Sequence, residues 1–137
     1  MSVYTVYDTN VLVSAFLSRQ SDSAVVLAVE ALFAGRVIPL YNADILQEYR
    51  DVLRRDKFRL PEQLIDKVIR YIVEAGVDSR RIASEQLFND PGDVVFYEVA
   101  LSKEGAFLVT GNKKHFPATT MVVSPREFLD ILCRKTE

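Results

Sequence analysis

The sequence predicts an α/β fold, in which a mainly parallel sheet is covered by helices on both faces. Short runs rich in β-forming residues alternate with segments whose apolar residues recur at helical spacing. The chain has 137 residues and contains neither an internal repeat nor a low-complexity segment, so a single domain over residues 1–137 is expected. Strands separated by helices need crossover connections, which favour parallel pairing.

Four segments are predicted to form strands, namely residues 3–7, 37–41, 106–109 and 121–123. We therefore expect a central sheet of about four or five strands. In an open sheet of this kind, ligands bind at the carboxyl ends of the strands.

Helical spacing, capping residues and turn residues predict the helices between these strands. The first helix follows Asp8 and could be capped by Thr9 or Asn10, and the second runs from a cap at Asp22 or Ser23 to near Gly35. The third is capped by Asn42, and the fourth runs from Pro61, its first helical residue, to Gly76. The last two run from near Asp93 to Gly105 and from Pro125 through Leu132. Residues 94–101 are apolar on nearly every side, which predicts a buried helix.

The composition is that of an ordinary globular protein, with 49% apolar and 26% charged residues. No apolar run approaches the roughly 20 residues that cross a bilayer, and no secretory signal pattern opens the chain, so we expect a cytoplasmic protein without membrane contact. The net charge of −2 gives no overall attraction to a polyanion. Nucleic-acid binding would therefore depend on local basic clusters and on cations bound to carboxylates.

Acidic residues follow or flank several of these elements. Asp8 comes directly after the first predicted strand, where a carboxylate needs partners because aspartate forms strands poorly. Asn112 follows the third strand and would lie at the same edge of the sheet. Glu48 lies about 100° from the apolar stripe of its helix, so it is the acid of that helix best placed to face a cleft.

Asp90 and Asp93 belong to a turn and the helix that follows it. Either residue also has a structural explanation, because Asp90 could cap that helix and Asp93 would complement its dipole. Carboxylates from separate elements are nevertheless the ligands that Mg²⁺ or Mn²⁺ prefers. Metal-assisted cleavage of a phosphodiester is therefore the leading hypothesis.

Together these segments resemble the PIN-domain nucleases, in particular the bacterial group assigned as toxin components of toxin–antitoxin pairs. The runs that carry the likeness are DTNVLVSAF from Asp8, the helix bearing Glu48, DPGDVVFYEVAL from Asp90, TGNKKHFP from Thr110 and VVSPREFL from Val122. The resemblance covers nearly the whole chain. It implies a three-layer α/β/α sandwich, a divalent-metal site and endonuclease activity on single-stranded RNA, with a cognate antitoxin protein and a homodimer as possible partners.

Matched position by position, the resemblance makes Asp8, Glu48 and Asp93 the ligands of Mg²⁺ or Mn²⁺, with Asn112 as a fourth catalytic residue. Many relatives carry an acid where this chain has Asn112, whose amide oxygen can coordinate a cation but adds no charge. A single ion or weaker binding is therefore expected. The secondary candidates for the site are Asp90, Thr9, Asn10, Ser14 and Thr110.

Lys113, Lys114 and His115 follow the third strand and are candidates for contacts with RNA phosphates. No serine or cysteine motif accompanies His115. Instead of acting in catalysis, His115 could therefore be a helix or turn residue whose side chain hydrogen-bonds to the backbone. The exposed apolar residues of the predicted 61–76 helix could support a dimer.

Two other classes of function stay open. A PIN-like module with a weakened centre would bind RNA or protein without metal-stimulated turnover, and Asn112 makes this alternative credible. A phosphatase or phosphotransferase would use Asp8 as a nucleophile, but such enzymes commonly place an aspartate two residues later, where this chain has Asn10. No phosphate-binding glycine loop is present either.

Overall fold

A computed structural model describes residues 2–135 of the chain. Within that range five strands and six α-helices alternate along the chain. In chain order they are β1 (Tyr4–Tyr7), α1 (Thr9–Leu17), α2 (Ala24–Phe33), β2 (Ile38–Tyr41), α3 (Ala43–Leu53), α4 (Glu62–Ala75), β3 (Val77–Asp78), α5 (Pro91–Ala100), β4 (Phe107–Val109), β5 (Val122–Val123) and α6 (Pro125–Lys135). Two 3₁₀ turns, Asp56–Phe58 and Lys113–His115, interrupt the connections.

The strands form one sheet in the order β3-β2-β1-β4-β5, and every pair is parallel. Consecutive residues of the central strand β1, namely Thr5, Val6 and Tyr7, are all buried, so the sheet is covered on both faces. The predicted α/β fold with a parallel sheet is confirmed. The short strand β3 was not predicted, because two exposed residues carry no periodic pattern.

The caps predicted for two helices are present. The Val26 N–H donates to Ser23 Oγ at 3.3 Å, and the Ile45 N–H donates to Asn42 Oδ1 at 2.8 Å. Pro61 precedes α4 as its N-cap instead of being its first residue. The prediction that Thr9 or Asn10 caps α1 is wrong, since Asp8 occupies the N-cap position and Thr9 is already helical.

The helix near Asp93 begins earlier and ends earlier than predicted. Proline suits the first position of a helix, and α5 begins at Pro91 with Asp90 as its cap, whose Oδ1 accepts from the Gly92 N–H at 2.8 Å. It ends at Ala100. Gly105, with φ of +80°, instead forms the turn that leads into β4.

Helices pack against one another as well as against the sheet. Helix α2 packs on α1 and α6, whereas α5 covers β1, β2 and β4 and contacts α3. Tyr7 of β1 contacts two of these helices. Its hydroxyl donates to the carbonyl of Ala28 on α2 at 2.9 Å, and its ring packs edge-on against the ring of Phe128 on α6. In the part of the chain that the structure describes, no helix combines the length and apolarity that crossing a membrane requires.

Candidate active site

The path of the chain through the sheet creates a crevice beside β1. The chain runs outward from β1 to β2 and β3, then crosses to the other side of β1 to form β4 and β5. The connections that leave β1 and β4 therefore diverge, which is where open α/β sheets bind ligands. Asp8 follows β1 and Thr110 follows β4, so both lie at this crevice.

Asp8 is fixed in the crevice by its neighbours. Its N–H donates to the Val109 carbonyl at 2.9 Å, and the Thr110 hydroxyl donates to its Oδ2 at 2.7 Å. The side chain is buried, with 7% of the residue exposed. Burial raises the pKa of the Asp8 carboxyl, hydrogen bonds from Thr110 and Thr9 oppose this, and the charge of Glu48 raises it further.

Asp93 brings a second carboxylate from the first turn of α5. Its side chain is 17% exposed, and burial is the main reason that the pKa of Asp93 rises to about 6. The charges of Asp8 and Asp90 raise that pKa further, while His115 lowers it. His115 Nδ1 lies 3.7 Å from Asp93 Oδ2, which is too long for a hydrogen bond.

Glu48 approaches from α3, where it is half-buried. The next residue, Tyr49, holds this helix over the end of β1, because its hydroxyl donates to the Tyr7 carbonyl. The Tyr49 ring also packs 6.1 Å from that of Phe96 on α5. No role at the site was predicted for Tyr49, which lies on the buried face of α3. A hydroxyl on such a face, beside a candidate acid, is the signal that could have revealed its second contact.

The structure brings these three acids into one electrostatic environment. The charge of Glu48 raises the pKa of both Asp8 and Asp93, and that of Asp8 raises the pKa of Asp93. Among residues 2–135, however, no three acidic, histidine or cysteine side chains already adopt an arrangement that could hold a metal ion. Carboxylates that share a site repel one another, and a divalent cation bound between them would relieve that repulsion.

The donor chemistry fits a divalent cation. Carboxylate oxygens are hard ligands, and three buried oxygen atoms nearby have no hydrogen-bond partner among the described residues. They are Thr9 Oγ1, Asn10 Oδ1 and Asp93 Oδ2. Unpaired buried oxygens are uncommon in folded proteins and call for an explanation such as a bound ion.

The other predicted site residues lie at the edge of the crevice or beside it. Thr110 contacts Asp8, whereas Asp90 caps α5. The Asp90 carbonyl accepts from the Asp93 N–H at 3.1 Å, and the charge of Asp90 raises the pKa of Asp93. Asn10, Ser14 and Asn112 line a groove of about 340 Å³ beside the crevice. We call it the Asn10 groove, and its lining residues are Asn10, Val11, Ser14, Val25, Gly111, Asn112 and Pro125.

Among the predicted RNA contacts, Lys113 has a partner of its own. Its Nζ lies 2.8 Å from Glu127 Oε1, and this contact, with hydrogen bonds from Ser124, lowers the pKa of Glu127 to about 2. Glu127 and Ser124 form the capping box of α6, so Lys113 is tied to a helix start. Lys114 and His115 are exposed beside the crevice.

Glu98 is a buried acid whose role was not predicted. One of its carboxylate oxygens accepts from Arg81 Nε at 2.8 Å, and the other accepts from the Ser84 N–H at 2.8 Å. These bonds fasten the segment that leads into α5 to that helix. The signal was available, since Glu98 is the acid inside an otherwise apolar helical run.

A comparison with known protein families finds a match over most of the chain. The family model PIN_3, described as a PIN domain, matches residues 4–114, which is well over half of the chain. This range contains Asp8, Glu48, Asp93 and Asn112. A comparison with curated proteins found no match.

Proposed function

We propose that this chain, which belongs to the PIN domain family, is a divalent-metal-dependent endonuclease that cleaves single-stranded RNA. PIN domains are generally nucleases and generally use divalent metal ions. The choice of RNA and of Mg²⁺ or Mn²⁺ follows from the resemblance of the sequence motifs to bacterial toxin nucleases.

The observation that carries the proposal is the placement of acids around the carboxyl end of β1. The Thr110 hydroxyl fixes the Asp8 carboxylate there, Tyr49 anchors the helix of Glu48 to the Tyr7 carbonyl, and the charges of Asp8 and Glu48 both act on Asp93. These carboxylates would hold the cation, with the buried Asp93 Oδ2 among its ligands. When bound, a divalent cation activates the attacking water and stabilises charge that develops on the scissile phosphate.

The remaining residues orient the ligands and the strand. The Thr110 hydroxyl holds Asp8 Oδ2, so the orientation of this carboxylate is set before a substrate binds. Because the pKa of Asp93 is about 6, its carboxylate is mostly ionised at pH 7 and above, which is the form that binds a cation. Lys114 and His115 would contact phosphates on the open side of the crevice.

A cleavage assay on mixed single-stranded RNA tests the proposal. The wild type should cleave with Mg²⁺ or Mn²⁺ and stop in EDTA, and Asp8→Asn should lose activity while keeping the fold. Asp130→Asn is a matched control. It removes the same negative charge as Asp8→Asn, but Asp130 lies exposed on α6. Cleavage in EDTA, or full activity of Asp8→Asn, would contradict the mechanism.

A weakened binding module is the second candidate. It is favoured by Asn112, which is exposed and supplies no charge, and by the lack of a preformed set of ligands between Ser2 and Lys135. Such a module would bind RNA in EDTA as tightly as with Mg²⁺ and show no turnover. Measuring binding and cleavage on the same RNA separates the two candidates.

We extend the proposal to a toxin role with a protein antitoxin or a second copy as partner. A groove of about 370 Å³ between α1, α2 and α4 offers an apolar surface. Phe16, Phe33, Leu64, Val68 and Tyr71 line it. Growth arrest on expression, relieved by the Asp8→Asn substitution, would support the toxin role, and a monomer by light scattering would contradict the dimer.

A further inference from the structure

We propose that the basic turn at the end of α3 binds phosphates of the RNA strand beyond the site of cleavage. The basic turn comprises residues 54–60, and Arg55, Lys57 and Arg59 are the cations that would contact the strand. The inference rests on the proposed cleavage of single-stranded RNA, since it extends the path of that strand past the crevice.

Positive charge is concentrated in and beside the basic turn. Residues 50–60 contain five Lys and Arg residues against two Asp residues, so their net charge is +3, whereas the whole chain carries −2. No stretch of equal length outside this one is as basic. A ligand with repeated negative charges is therefore attracted to this segment of a chain whose overall charge repels it.

Three cations of the basic turn are available for a ligand. Arg55, Lys57 and Arg59 are exposed, and no acidic side chain in the described part of the chain forms an ion pair with any of them. Arg54 has a different role, because its Nε donates to Glu62 Oε1 at 2.9 Å and joins the turn to the start of α4. The other three cations can therefore neutralise phosphates without breaking an existing ion pair.

Backbone hydrogen bonds fix the conformation of the turn. Arg55 donates its N–H to the Val52 carbonyl at 3.1 Å, which continues the last turn of α3. Residues 56–58 then form a 3₁₀ helix, and Arg59 closes it in the left-handed region, with φ of +53°. An RNA strand would thus meet cations on an ordered backbone, so that binding costs less conformational entropy.

Helix α3 connects the basic turn to the candidate active site. Glu48 approaches the crevice from this helix, and its neighbour Tyr49 is bonded to the Tyr7 carbonyl. Arg55 comes seven residues after Glu48, which is nearly two helical turns, so it lies on the same side of α3 about 10 Å farther along the axis. A strand whose scissile phosphate lies at the acids would therefore follow α3 and meet the basic turn with another phosphate.

The test measures RNA binding by the full-length Asp8→Asn protein in EDTA, so that it needs neither metal nor cleavage. Fluorescence anisotropy follows a labelled single-stranded RNA of twelve nucleotides over a range of salt concentrations. For single strands, each phosphate contact adds about 0.7 to the slope of log affinity against log salt concentration. Adding Arg55→Gln, Lys57→Gln and Arg59→Gln should weaken binding and reduce this slope by about two.

Two further variants show whether charge at this position is the cause. Arg55→Lys with Arg59→Lys keeps every charge of the turn, so the slope should stay unchanged. Lys103→Gln, Arg134→Gln and Lys135→Gln together remove three exposed cations from the ends of α5 and α6, and this variant should also keep the slope. Thermal unfolding of each variant checks that the protein is folded.

Three results would overturn the inference. They are a slope unchanged in the folded glutamine variant of the basic turn, an equal loss of slope in the variant of the helix ends, and an absence of RNA binding by the Asp8→Asn protein. Because the readout is independent of cleavage, a chain that binds RNA at the basic turn but cuts none would refute the proposed function alone. A metal-dependent ribonuclease whose binding ignores the basic turn would refute this inference alone.

Discussion

Replacing Asp93 by asparagine should stabilise the protein while it removes a proposed metal ligand. The folded-state pKa of Asp93 is about 6, against an ordinary value of 3.8, because the carboxylate is buried near Asp8 and Asp90. Between these values the folded state binds more protons than the unfolded chain, so stability falls as pH rises. The full destabilisation is present above pH 6 and absent below pH 3.8.

The size of the effect follows from the pKa difference. A difference of about two corresponds to about 3 kcal/mol, at 1.36 kcal/mol for each pKa unit. Solvent reaches the Asp93 side chain in part, with 17% exposed, and screening reduces the expected gain to about 1–2 kcal/mol. For a domain of this size, that gain raises Tm by about 3–8 °C.

Thermal and urea unfolding of wild type and Asp93→Asn in EDTA, from pH 4 to pH 8, measure this gain. The two proteins should differ most at pH 8 and converge near pH 4, whereas the Asp130→Asn control should follow the wild type. Adding Mg²⁺ at pH 8 should stabilise the wild type more than the variant. A variant less stable than wild type at pH 8, or a difference independent of pH, would show that the buried Asp93 carboxylate does not destabilise the fold.

Three other substitutions test contacts around the site. Tyr49→Phe removes the hydroxyl that binds the Tyr7 carbonyl, so urea unfolding should show a loss of about 1–2 kcal/mol, and cleavage should fall about tenfold; unchanged cleavage would mean that α3 needs no such anchor. Glu98→Gln weakens the bonds to Arg81 and Ser84, so the free energy of unfolding should fall by about 1–3 kcal/mol. Amide hydrogen exchange should become faster over residues 79–90. Unaltered exchange there would show that Glu98 does not hold this segment. Gly76→Ala would place a Cβ 2.3 Å from the Pro39 carbonyl oxygen. Thermal unfolding should therefore show a stability loss of at least about 2 kcal/mol. A Tm equal to that of the wild type would contradict the close approach of α4 and β2.

Periodicity and caps predicted most of the fold because they are local signals. Ser23 and Asn42 bind the amides that a helix start leaves unpaired, and the apolar runs of β1 and β4 match strands buried on both faces. Strand β3 lacks such a signal. It exists because Val77 and Asp78 pair with β2, which only the tertiary fold determines.

The candidate site was predictable where chemistry and topology agree. Asp8 follows the central strand, so the parallel sheet alone places it at the ligand-binding edge. The Tyr49 contact with Tyr7 spans 42 positions, and the Lys113 contact with Glu127 joins a loop to a helix start. Residue type and spacing along the chain do not encode such partners, which depend on how the elements pack.

We propose that Asp8 and Asp93, with Glu48, bind one divalent cation at the end of β1. Titration of the metal-free protein with Mn²⁺, followed by electron paramagnetic resonance, measures this directly. The wild type and the Asp130→Asn control should bind Mn²⁺ alike, and Asp8→Asn and Asp93→Asn should each bind at least about tenfold more weakly, because each loses a charged oxygen ligand. Equal Mn²⁺ affinity in all four proteins would contradict the account.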